Sequence, residues 1–139
     1  MAHEIPSGRT LDTDFMFTKL LVNDLDKAAT FYTSVFGLIE MHRVEAKIAG
    51  QPVSEIVYMP TYPGGPMFIL AKFHTPPAAS TNELIMGFAT KDMDALLARA
   101  KQAGGRLIEL IPESAHMPFR TAFIEDPQGH RVQISQAMG

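Results

Sequence analysis

A chain of 139 residues is long enough to bury its own core and short enough to be one domain, or two small modules sharing a core. It has no Cys, which excludes a disulfide framework, a thiol nucleophile, Cys-bound zinc and an iron–sulfur cluster; its net charge of −3, with no basic run, argues against nucleic acid or an anionic membrane as partner. No apolar run approaches the roughly 20 residues of a membrane span, and residues 1–14 are too polar for a secretory leader, so a cytoplasmic location is expected.

Behind the polar tail at 1–14, the run FMFTKLLV (15–22) is short and mostly apolar, and reads as a strand. Asn23 and Asp24 then offer an N-cap to a helix over residues 25–36. Leu25, Ala28, Ala29, Tyr32, Val35 and Phe36 share its apolar stripe, Asp26 suits the positive end of the dipole, and Gly37 is placed to end it. Three strands follow, at 38–47, 52–59 and 67–74, separated by Ala49-Gly50 and by the turn residues Pro63-Gly64-Gly65-Pro66. Residues 15–74 therefore read as a βαβββ module.

Residues 75–82 (TPPAASTN) are rich in Pro, Ala and Ser and uncharged, as a linker would be. The pattern then restarts: a strand at 84–90, a helix capped by Asp92 and stopped by Gly104-Gly105, and strands at 106–111, 120–125 and 130–135, the last two joined by the turn Asp126-Pro127-Gln128-Gly129. Residues 83–136 form a second βαβββ module. At a constant offset of 68 residues Asp24 meets Asp92, Leu25 meets Met93, Asp26 meets Asp94, Ala29 meets Leu97 and Gly37 meets Gly105. Cap, stripe and stop recur in step, so the chain is an internal repeat of α+β class, two βαβββ modules in tandem.

The strings VNDLDKAA (22–29), FYTSVFGL (31–38) and IEDPQGHRVQI (124–134) resemble the vicinal oxygen chelate superfamily, which includes glyoxalase I, extradiol dioxygenases, methylmalonyl-CoA epimerase and the fosfomycin and bleomycin resistance proteins. The resemblance runs from about Met16 to Gln136. It implies that the strands of each module curl into a cup, that two cups enclose a cavity, and that metal-dependent members hold an ion with His, Glu or Gln from the first and last strands of each module. Carried over position by position, those four places hold Phe17, Ile69, Ile85 and Gln133. Three apolar side chains supply no donor, and one amide alone does not hold a divalent ion. A one-residue slip offers only Met16, Leu70, Leu84 or Met86. His74 and His130 are an odd number of residues from Ile69 and Gln133, hence on the opposite faces of their strands; His42 lies on another strand.

No metal and no cofactor are therefore expected. The floor is apolar with one neutral amide, which suits a hydrophobic or aromatic small molecule. Even spacing adds Ala71 and Phe73 to Ile69, and Arg131 and Ser135 to Gln133, giving a candidate ligand-binding set of Phe17, Ile69, Ala71, Phe73, Ile85, Arg131, Gln133 and Ser135. The plain structural alternative is that these side chains fill the cup themselves. The resemblance implies that the loop PESAHMPF (112–119) covers the pocket, which brings in Glu113 and His116, with Arg120 on the strand behind it; Glu55 is a further acid or base. The first reading is a metal-independent binding protein for an apolar or aromatic metabolite or antibiotic. The second is a lyase or isomerase of glyoxalase-like type using Glu113, His116, Arg120 or Glu55. The expected partner is a small-molecule ligand, with a homodimer compatible with the resemblance.

Overall fold

A computed structural model of the chain describes residues 15–48, 50–75, 84–114 and 119–137. The tail at 1–14, all of the linker but Thr75, and His116 lie outside the described residues. The first module runs β1 (Phe17–Leu21), α1 (Leu25–Phe36), β2 (Glu40–Ile48), β3 (Gln51–Tyr58) and β4 (Met67–Phe73). The second repeats it as β5 (Ile85–Ala89), α2 (Met93–Gln102), β6 (Arg106–Ile111), β7 (Phe119–Glu125) and β8 (Arg131–Ala137). Strand orders are β1-β4-β3-β2 and β5-β8-β7-β6, with β1 and β5 each at an edge and parallel to their neighbours.

Both helices start as their caps dictate. Asp24 accepts from the Lys27 amide at 3.0 Å and Asp92 from the Ala95 amide at 3.1 Å, each satisfying one donor that the first turn leaves free. Gly37 ends α1 at φ 68°, a left-handed conformation open to glycine.

The helices form a layer between the two sheets. Tyr32 of α1 lies 5.0 Å from Phe68 of β4, while Phe36 of the same helix stacks on Phe88 of β5 at 4.0 Å. Arg99 of α2 donates twice to the Val35 carbonyl, at 3.0 and 3.2 Å. One continuous core results, built from α1, α2 and the inner faces of both sheets. Because α1 meets both sheets, its buried surface is wider than the stripe read from periodicity: Phe31, absent from that stripe, is fully buried.

Each sheet turns its other face outward. In module 1, Val53, Val57, Ile69 and Ala71 belong to that outer face and lie outside the shared core, yet they are buried. Burial on the face turned away from the helices is what the cup implied by the resemblance produces.

Candidate functional site

Strand parity and ladder register fix what lines each cup. In module 1, Leu20, Ile56, Tyr58 and Leu70 face the helices, so Phe17, Lys19 and Leu21 of β1 share the outer face with Val53, Glu55 and Val57 of β3 and with Ile69, Ala71 and Phe73 of β4. One row reads Lys19, Ile69, Val57; the next reads Leu21, Ala71, Glu55. In module 2 the rows are Ile85, Arg131, Glu125; Gly87, Gln133, Phe123; and Ala89, Ser135, Thr121.

The registers make the two cups comparable independently of sequence alignment. Ile69 stands to Lys19 as Gln133 stands to Gly87, so Ile69 and Gln133 are equivalent, as are Lys19 and Gly87, and Glu55 and Thr121. The candidate ligand-binding residues thus divide into two groups. Phe17, Ile69, Ala71 and Phe73 line the first cup, and Ile85, Arg131, Gln133 and Ser135 line the second. Both faces turn away from the helix layer, so the candidate residues of one chain lie in two separate groups.

Glu55 Oε2, Thr121 Oγ1 and Arg131 Nε are the buried side-chain polar atoms without a hydrogen bond among the described residues, and all three belong to cup faces. A buried polar atom left unpaired is a stability loss of about 1–3 kcal/mol. Glu55 Oε2 does have a charge nearby: Lys19 Nζ lies 2.5 Å away, outside hydrogen-bond alignment, and 5.6 Å from the centre of the Phe17 ring.

The proposed acid–base residues do not converge. Glu55 is buried in the first cup, whereas Glu113 is exposed in the loop after β6. Arg120 shares the face of Ala122 and Ile124, toward the helices, and its guanidinium lies 3.3 Å from Asp94 at the start of α2. This corrects the expectation that Arg120 reaches the pocket: β7 alternation gives the outer face to Thr121 instead. Two of the described histidines are engaged elsewhere, His74 with Ser54 and Glu45 at 3.0 and 3.2 Å, and His130 with Asp126 at 2.8 Å. Among the described residues no cluster of three or more His, Asp or Glu forms that could hold a metal ion. The residues present at the four inherited positions do not fit one.

Lys19 and Thr121 lie on these faces without being among the candidates named from the sequence. Lys19 carries a signal, as the one charge in an apolar strand, two residues from Phe17 and hence on its face; Thr121 has none until the register of β7 is known. A cleft of about 750 Å³ also opens between the modules, lined by Thr18, Phe36, Phe68, Met86, Phe88 and others, and of the candidate ligand-binding residues only Ile85 reaches it.

The family model of the Glyoxalase/Bleomycin resistance protein/Dioxygenase superfamily matches residues 15–134. The chain belongs to this superfamily. Solved structures from it share the architecture. A glyoxalase family protein from Bacillus cereus has a TM-score of 0.75 at 20% identity, covering 98% of this chain and 100% of its own. The trypanothione-dependent glyoxalase I of Leishmania major gives 0.68 at 16% identity, covering 90% and 87%. The fosfomycin resistance protein FosX of Mesorhizobium loti gives 0.66 at 14% identity, covering 93% and 94%. At these identities the likeness is one of fold, and superfamily membership leaves the chemistry open. No curated protein matches the chain in sequence. No helix among the described residues is long and apolar enough to cross a membrane.

Proposed function

We propose that the chain binds a small, largely apolar or aromatic molecule on its cup faces, without a metal ion at the four positions where the superfamily resemblance would place one. The observation that supports this is the side-chain set at those positions, Phe17, Ile69, Ile85 and Gln133, all on cup faces by register. A ligand ring with about 150 Å² to bury gains roughly 4 kcal/mol at 25 cal/mol per Å². That corresponds to millimolar affinity before the entropy of association is subtracted. One shallow cup is therefore a weak site, and useful binding needs a second wall.

A second copy of the chain supplies that wall. β1 and β5 are edge strands with free backbone groups, and they expose Phe17, Leu21 and Ile85 at 41%, 43% and 52%. Pairing β1 of one copy with β5 of another joins a first cup to a second cup and yields two composite sites per homodimer. Thermal shifts with a panel of planar aromatics, run with EDTA, test the reading: ligand stabilisation independent of chelator is expected. A stoichiometric divalent ion that is lost on Gln133→Ala would overturn it.

The second reading, a lyase or isomerase of glyoxalase-like type, draws on one feature, the buried Glu55 carboxylate on the cup face, paired with Lys19. Glu55 would act as the base. Deuterium uptake from solvent into an enolisable 2-oxo acid, abolished by Glu55→Gln, is the result that favours it.

A further inference from the structure

Among the described residues the first cup carries one partly buried ion pair, and it sits beside both of that module's inherited metal positions. Lys19 is two residues from Phe17 on the same face and is the ladder partner of Ile69. Glu55, one row away, holds the ammonium from one side at 2.5 Å, and the Phe17 ring lies beneath it at 5.6 Å. Among the described residues Glu55 is the only ion-pair partner of Lys19, and an ammonium has three N–H donors. The Lys19 side chain is 26% exposed, so it is not sealed off from a molecule entering the cup.

We propose that the Lys19 ammonium supplies, in place of a metal, the fixed positive charge that receives an anionic oxygen of the bound molecule. The ligand class is then a small aromatic or apolar acid, held by its ring on Phe17 and Ile69 and by its oxygen on Lys19. This rests on the reading of the cups as the binding site.

The repeat provides an internal comparison. At the positions of Lys19 and Glu55 the second module has Gly87 and Thr121, and it forms the same four-stranded sheet. The fold thus does not require the pair. Removing two charges from water is unfavourable unless something uses them, and neutral replacements of buried pairs are commonly neutral or stabilising. Gly87 also leaves room: a Cβ built there meets nothing within 4 Å. A cup 1 facing a partner's cup 2 therefore has one ammonium and, opposite its equivalent position, free space for the ligand.

The test uses two fluorescent probes with one aromatic body, 8-anilinonaphthalene-1-sulfonate, which is anionic, and N-phenyl-1-naphthylamine, which is neutral. They are titrated into the full chain with EDTA. Lys19→Met alone strands the Glu55 charge and risks misfolding, so the comparison is between Glu55→Gln and the double variant Lys19→Met/Glu55→Gln, which differ only in the cation. The double variant is expected to bind the sulfonate at least tenfold more weakly than Glu55→Gln, with the neutral probe changed less than twofold. Equal effects on both probes, or no effect on either, overturn the role of Lys19. Phe17→Asp separates that failure from a failure of the cup: it abolishes neutral-probe binding if the cup is the site. If the neutral probe does not bind, or survives Phe17→Asp unchanged, the cup reading falls and the inference with it.

Discussion

The Tyr32 hydroxyl on α1 donates to Asp126 Oδ2 at 2.9 Å across 94 residues of sequence, and both side chains are buried. Asp126 sits in the turn between β7 and β8, so this bond fastens the first module's helix to the second module. Burial and the neighbouring Asp126 carboxylate push the Tyr32 pKa far above its ordinary value, so the phenol remains a donor across the working pH range. The same carboxylate accepts from His130 Nδ1 at 2.8 Å and from the amides of Gln128 and His130 at 2.9 Å each. Tyr32→Phe removes one donor and leaves the other three, and a hydrogen bond to a charged group contributes about 1.5–3 kcal/mol. Urea unfolding of Tyr32→Phe is expected to show a loss of that size at constant m. A loss below about 0.5 kcal/mol would show that the clasp is redundant with core packing.

The same network predicts how stability responds to acid. Burial by itself would raise the Asp126 pKa, but the hydrogen bonds and charge from His130, with the bond from Tyr32, outweigh it and hold the carboxyl below the usual carboxylate range. A folded-state pKa below the unfolded value of about 3.9 contributes stability that is complete above that value. It is lost as pH falls through the folded pKa. Unfolding free energy is therefore expected to decline from about pH 4 downward. Asp126→Asn should flatten this decline while lowering stability at neutral pH. An unchanged acid limb in Asp126→Asn would assign the acid sensitivity to other carboxylates.

Gly105 serves a purpose beyond ending α2. A Cβ at this position would lie 2.6 Å from the Phe31 ring, 2.9 Å from the Glu125 carbonyl oxygen and 3.0 Å from that of Ala100. Two of those three neighbours are backbone and cannot rotate away. Gly105→Ala would ordinarily be mildly stabilising by restricting the unfolded chain, but overpacking of about 1–3 kcal/mol prevails here. Thermal unfolding should register the loss. Phe31→Leu in the same chain should recover part of it by relieving the ring contact, a coupling read from a double-mutant cycle. Additive losses would mean that the backbone contacts alone carry the clash.

The bounds of α1 were legible because both signals are local: Asp24 caps the first turn and Gly37 takes the left-handed φ that stops the last. That Ala71 and Phe73 share a face with Ile69, and Arg131 and Ser135 with Gln133, followed from strand parity, and the ladders place these two sets on two separate sheets. Other features depend on contacts distant in sequence. Phe31 is buried because α1 lies between two sheets, and a single apolar stripe assumes one. Tyr32 and Asp126 meet only once the modules dock. The outward or inward direction of Arg120 depends on where β7 begins, and register shifts at Glu40/His42 and Leu107/Glu109 alter side-chain parity without a local sequence signal.

The edge strands lead to the prediction that bears most directly on the proposed composite site. β1 and β5 each offer one unpaired side, and Leu21 and Ile85 project exposed side chains from them. A charge at a strand edge is the common natural block to strand-to-strand association. Leu21→Lys and Ile85→Lys alter exposed residues outside the shared core, so each chain should keep its far-ultraviolet spectrum and most of its stability. Sedimentation is expected to show a dimer for the parent chain and monomers for either variant. If β1 pairs with β5 of a second copy, either lysine alone is sufficient, because every interface contains one strand of each kind. Pairing of like with like would respond differently: Leu21→Lys would break a β1–β1 contact and leave a β5–β5 contact intact. Neutral-probe binding should weaken with dimer loss, since a lone cup buries too little apolar surface to exceed millimolar affinity. Undiminished binding by the monomeric variants would place the ligand in a single cup and remove the need for a second copy.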